Sequence, residues 1–173
     1  MSCDKKENKM KIKHNNKGIT LLEMIIVAVV IGITATLAIP RFGQVMEKLK
    51  LKTAGRDIVS SLRLARASAV SQRSQFGVYF DLNSRQYVLF KDLANPGSFT
   101  YDVGSDSDMV AKTLPGKVNF GYNGFPNSVV IFKSNGSAST SGQVELNSYG
   151  DHYGYITVDV LGSTGRVKLI SGG

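Results

Sequence analysis

Three hydrophobic patterns follow one another along the 173 residues. The first is an apolar run over residues 19–39 in which Glu23 is the only charge. Wound as an α-helix at about 1.5 Å per residue, this run extends roughly 32 Å, close to the hydrocarbon thickness of a bilayer. A carboxylate in such a helix costs about 2.5–3.5 kcal/mol near the bilayer centre and less near an interface. Two readings follow. Either Glu23 lies at headgroup depth in a signal anchor, or the helix leaves the bilayer for an assembly in which Glu23 is paired.

The second pattern has the helical period. Leu51, Ala54, Ile58, Leu62, Ala65 and Ala69 are three or four residues apart, which predicts a helix reaching about Arg73 with one face against a domain. Arg41, Lys48, Lys52, Arg56, Arg63, Arg66 and Arg73 form a basic stripe on another side. Pro40, Gly43 and Gly55 are the expected bends; Pro40 lacks an N–H and clashes with the preceding turn.

The third pattern has period two. Residues 75–81 and 85–90 predict a hairpin, and 117–122, 128–133, 143–146, 155–161 and 166–170 predict further strands. Residues 92–116, rich in Asp, Ser and Gly, predict a long loop with at most an edge strand. Ser134-Asn135-Gly136-Ser137 predicts a turn; the glycosylation sequon it contains needs no sugar to explain it.

Charge sharpens this layout. The net charge is +8, but residues 1–18 hold six Lys against Asp4 and Glu7, and residues 41–73 hold eight basic and two acidic residues. Residues 74–173, with seven basic and eight acidic, are nearly neutral. A Lys-rich head before an apolar helix stays cytoplasmic by the positive-inside rule, so the rest lies across the membrane. The only cysteine, Cys3, sits in that head, which leaves the remainder without a disulfide. Met10 opens a shorter basic head, MKIKHNNKG, so the start at Met1 or Met10 stays open.

Gly18, then Ile19-Thr20-Leu21-Leu22-Glu23, then the apolar helix, resembles the class III signal of type IV pilins and type II secretion pseudopilins. The resemblance implies that a prepilin peptidase cuts after Gly18 and methylates Ile19. It also implies that Glu23 faces a neighbouring subunit's N-terminal amine during assembly and that Pro40 kinks the helix. Phenylalanine is commonest where Ile19 stands. Val130-Ile131-Phe132 with Ser134-Asn135-Gly136-Ser137, Gly142-Gln143-Val144-Glu145-Leu146, Tyr155-Ile156-Thr157-Val158 and Gly165-Arg166-Val167-Lys168 resemble the C-terminal half of the GspH/FimT family. This implies an α+β fold, one long N-terminal helix packed against an antiparallel β domain of two sheets. The expected divisions are a removed leader over 1–18, a transmembrane and assembly helix over 19–39, its amphipathic continuation over 40–73, and a periplasmic β domain over 74–173.

The implied function is that of a minor pseudopilin, a structural subunit of a type II secretion pseudopilus. Its partners would be the prepilin peptidase, other pseudopilins or minor pilins, and inner-membrane lipid. The alternative is a FimT-like minor type IV pilin that binds DNA during uptake. FimT-like members carry a Gly-Arg-x-Arg motif; here Lys168 replaces the second arginine, keeping the charge without the planar fork. Arg166 and Lys168 share one strand face.

A signal-anchored periplasmic enzyme is the third reading, and the sequence offers it little. His152 is the only histidine after the leader, no His/Cys/Glu cluster has metal-ligand spacing, and no cofactor is called for. Asp102, Asp106 and Asp108 alternate with Ser and Gly as calcium loops do, but lack the glycine and distal glutamate of an EF-hand; a solvated acidic loop is expected. Gly162-Ser163-Thr164-Gly165 is not a phosphate loop, because no Gly-Lys-Ser/Thr follows.

Overall fold

In a computed structural model, residues 18–148 and 154–172 are described, with the side chains of residues 37–42 and 44 left aside. Met1, Cys3, Met10, His152 and the Lys-rich head fall outside the described residues. Helix α1 covers Leu21–Gln72 and runs without interruption through Pro40. The chain divides into two compact units at that point, Met1–Pro40 and Arg41–Gly173.

In the first unit the helix begins at an N-cap. The Glu23 N–H donates to Thr20 Oγ1 at 3.2 Å and to the Thr20 carbonyl at 3.1 Å. Beyond the cap every described side chain to Thr36 is exposed, including Leu21, Met24, Ile26, Val30 and Ile33. A helix apolar all round requires cover from lipid or other chains. Its two hydroxyls turn back onto the helix: Thr34 Oγ1 donates to the Val30 and Ile31 carbonyls at 3.0 Å, and Thr36 Oγ1 to Ile33 at 2.7 Å. Among the described residues no helix is long and apolar enough to cross a membrane.

The second unit holds the rest of α1 and eight strands. These are β1 (Phe76–Asp81), β2 (Gln86–Lys91), β3 (Ser107–Thr113), β4 (Val118–Asn123), β5 (Val129–Phe132), β6 (Gly142–Ser148), β7 (Tyr155–Leu161) and β8 (Arg166–Ser171). They form two antiparallel sheets, in the orders β3-β2-β1-β5 and β4-β6-β7-β8. The architecture is the α+β one expected from the resemblance.

All six residues of the predicted apolar stripe, Leu51 through Ala69, are buried in the main core. They meet Phe76, Val78 and Phe80 of the first sheet and Val144, Leu146, Val158 and Val160 of the second. Gly55 is no bend. A Cβ there would come within 2.8 Å of Ile156 and 3.1 Å of Leu169, so the glycine lets the helix approach the second sheet closely.

Residues 92–106 fold over the outer face of the first sheet and enclose a second cluster of Phe90, Val129 and Ile131, flanked by Tyr79, Phe99 and Tyr101. The strand within the predicted loop is β3, an edge strand with every residue exposed. The β1–β2 turn is tied to the start of β4 and to the chain just before it by Arg85. Its Nε donates to the Val118 carbonyl at 3.0 Å and its Nη2 to the Gly116 carbonyl at 2.5 Å. In the turn at 134–137, Asn135 Oδ1 accepts from the Ser137 N–H and hydroxyl at 3.0 and 2.7 Å, so the sequon residues serve the turn.

Candidate functional site

Two places carry the residues that the sequence singles out. The first is the helix start. Gly18 and Ile19 precede the helix, exposed, and Gly18 has open space around it. Thr20, Leu21, Leu22 and Glu23 occupy the N-cap, N1, N2 and N3 positions, the spacing of a capping box. Sequence reasoning missed this role, although Thr three residues before Glu signals it. Glu23 is exposed in the first turn, where its charge opposes the positive end of the helix dipole. The one ion pair among the described residues joins Lys50 and Glu47 at 2.8 Å, so Glu23 has no cationic partner within them.

The second place is the start of β8. Arg166 and Lys168 are exposed on one face, with Val167 buried on the other. Lys168 stands directly across from Asp159 on β7, which offsets its charge. Arg166 is the first residue of the strand, across from Leu161. With Arg63, Arg66, Val70 and Val167 it lines an open cleft of about 670 Å³. A second cleft of about 310 Å³ lies between Arg56, Val59, Arg63 and Leu169.

The glycine of the Gly-Arg-x-Lys run has a structural duty. Gly165 has φ +62°, and a Cβ there would sit 2.1 Å from the Gly136 carbonyl oxygen. That same oxygen accepts from Arg66 Nε at 2.9 Å. Helix, β5–β6 turn and β7–β8 turn thus meet at one point, and the motif's glycine is required by packing.

The acidic loop works as an internal staple. Asp106 is buried and accepts from the Leu93, Ala94 and Asp102 N–H groups at 2.9, 3.1 and 2.8 Å. Burial alone would raise its pKa; the backbone donors outweigh that and hold it below the usual carboxylate range. Asp108 accepts from the Tyr101 hydroxyl at 2.8 Å, and burial together with that bond pushes the phenol up to about 12. Asp92, unforeseen from the sequence, is buried with neither carboxylate oxygen at a donor. Burial first, then Asp106, raises its pKa. No group of three His, Cys, Asp or Glu side chains among the described residues is arranged to hold a metal.

These features have relatives. The family model of the type II transport protein GspH matches residues 54–164, and the prokaryotic N-terminal methylation motif matches residues 13–39. The chain belongs to the GspH family. The GspH match takes in the helix stripe from Ala54 and all the strands up to the β7–β8 turn; the methylation motif takes in Gly18, Ile19 and Glu23.

The fold of this GspH-family chain is similar to that of the minor pseudopilin EpsH from the Type 2 Secretion System of Vibrio cholerae. The TM-score is 0.57 at 16% identity, over 70% of this chain and 97% of that one. A second crystal structure of EpsH gives 0.56 at 15% identity, over 73% and 96%. The type IV minor pilin FimU of Pseudomonas aeruginosa gives 0.58 at 17% identity, over 72% and 90%. Among curated proteins, none matches the sequence significantly.

Proposed function

We propose that the chain is a minor pseudopilin, a structural subunit of a type II secretion pseudopilus that aids protein export across the outer membrane. The observation that carries this reading is the combination of a GspH unit with a capped, wholly apolar helix headed by Gly18, Ile19 and Glu23. In this reading residues 1–18 are a cytoplasmic leader, the prepilin peptidase cuts before Ile19, and Ile19 is N-methylated. Residues 19–39 hold the precursor in the inner membrane, N-terminus inside and β domain in the periplasm. The same helix later packs among other subunits, bending at Pro40. Once packed, a buried Glu23 without a cation would cost several kcal/mol. A neighbour's methylated amine, which stays cationic, removes that cost and fixes the register between subunits. The role is mechanical; the GspH family is one of structural subunits, and no reaction is assigned to this chain.

A second reading, a minor type IV pilin that binds DNA during uptake, draws on the exposed pair Arg166 and Lys168. The position of Asp159 across from Lys168 and the small number of cations in that pair count against it, since affinity for the phosphate backbone grows with the number of phosphates neutralised.

Intact-mass analysis of the membrane-extracted chain tests the first reading. The expected species begins at N-methylated Ile19, and Gly18→Leu should leave the precursor uncut. A mature chain that keeps residues 10–18 overturns the reading.

A further inference from the structure

Strand β8 is the edge of the second sheet, with β7 on one side only. The Gly172 N–H bonds to the Tyr155 carbonyl at 3.0 Å, which makes that pair a hydrogen-bonded one. Pairs alternate along an antiparallel ladder. With Ile156 opposite Ser171 and Leu161 opposite Arg166, the residues bonded to β7 are Arg166, Lys168 and Ile170. The N–H and C=O groups of Val167, Leu169 and Ser171 therefore point to the open edge. None of them has a hydrogen-bond partner among the described residues. Val167 and Leu169 are also the β8 residues with apolar side chains in the two clefts beside α1.

The opposite wall of those clefts is helical and basic. Arg56, Arg63 and Arg66 come from α1, Arg166 joins them from β8, and no Asp or Glu lines either cleft. From Arg56 to Val70 the helix rises about 21 Å, the length of roughly six extended residues. β8 has six residues. Between the arginines, Val59, Ala67 and Val70 supply apolar surface.

We propose that this groove accepts an extended acidic peptide segment of a partner protein, which adds to the second sheet as a fifth strand along β8. The free peptide groups of Val167 and Leu169 supply the ladder; alternate side chains of the guest then face the α1 arginines on one side and the exposed face carrying Arg166 and Lys168 on the other, so acidic residues are favoured on both. Unpaired strand edges attract other strands, and cations on the edge are a common defence. Here they also choose the guest. A second copy's β8 would bring Arg166 against Arg166 or Lys168, so self-pairing is opposed while an acidic strand is favoured. A nucleic acid offers the negative charge but no regular donors and acceptors at strand spacing. The inference rests on the groove alone and holds for either filament.

The full chain in detergent micelles, titrated with an acetylated Glu-Val-Glu-Val-Glu-Val peptide, tests this by fluorescence anisotropy. Two analogues, N-methylated on the odd or on the even amides, keep the charge and remove one set of donors. A hexaglutamate and a 20-base-pair duplex complete the set. The parent peptide should bind, one methylated analogue should lose at least tenfold, and Arg63→Ala with Arg166→Ala should lose at least tenfold. Amide exchange at Val167 and Leu169 should slow on binding, a change that charge attraction alone does not produce. Equal binding of both methylated analogues, no binding of the parent peptide, or stronger binding of the duplex that depends on Arg63 and Arg166 overturns the proposal.

Discussion

The described helix from Leu21 to Thr36 and the stretch from Leu51 to Ala69 belong to one element, yet they solve opposite problems. The lower stretch has apolar residues on one stripe, and two sheets from the same chain cover that stripe completely. The upper stretch is, beyond Glu23, apolar on every side and nothing in the described chain covers it. A periodic apolar pattern is satisfied by folding, whereas an aperiodic one is satisfied only by an environment. The lower half therefore carries the stability of the subunit, and the upper half carries what it joins.

Breaking the comparison is straightforward. Leu62 is fully buried between both sheets, so Leu62→Ala should cost about 3 kcal/mol of unfolding free energy in the Arg41–Gly173 unit. Denaturant unfolding followed by circular dichroism would show it. Glu23→Val in the upper half should leave that transition unchanged and instead reduce recovery with partner subunits in a pull-down. Equal loss of stability in both variants would mean that the two halves are not separate in their duties.

Gly165→Ala sharpens the lower half's side. The new Cβ would meet backbone rather than a movable side chain, at a residue already in the left-handed region. A loss of about 2 kcal/mol is expected, together with loss of the Arg66–Gly136 bond. Arg166→Ala should be close to neutral in the same melt, because its side chain is exposed.

The smallest effect concerns the loop over the first sheet. Asp92 is buried without donors and its pKa is raised, so the folded state holds its proton longer than the unfolded one. Its contribution to stability is full below the ordinary carboxylate range and falls as pH rises through the raised value. Asp92→Asn should then gain about 1 kcal/mol at neutral pH and nothing in strong acid. Thermal melts at both pH values measure this. A gain that is the same at both would place the effect outside ionisation.

Much of this was legible beforehand because burial left a period in the sequence. The stripe from Leu51 to Ala69 and the alternation in 76–81 and 155–161 announced their elements. β3 was harder: its residues are all exposed, so no side alternates and only backbone pairing makes it a strand. The close packing at Gly55 left no local signal because its neighbours, Ile156 and Leu169, lie about a hundred residues away. Asp106 read as a member of a solvated acidic loop and Asp92 drew no reading at all, since nothing local tells a buried carboxylate from a wet one. The crossover that places β5 beside β1 leaves no local trace either. The basic stripe was visible in the helix, but that part of it faces an open strand edge required the fold.

The cap at Thr20 has a consequence for enzymology. The bond between Gly18 and Ile19 lies ahead of the first helical residue, in exposed chain. A protease acting there meets no helical residue at Gly18 or Ile19, while the cap holds the first turn of the helix that follows. Cutting would then leave an ammonium one residue before the cap, beside the partial positive charge of the helix end. The product would be born with two like charges at its tip, set against the single carboxylate of Glu23 in the first turn, so an acid borne by another chain would add to their relief.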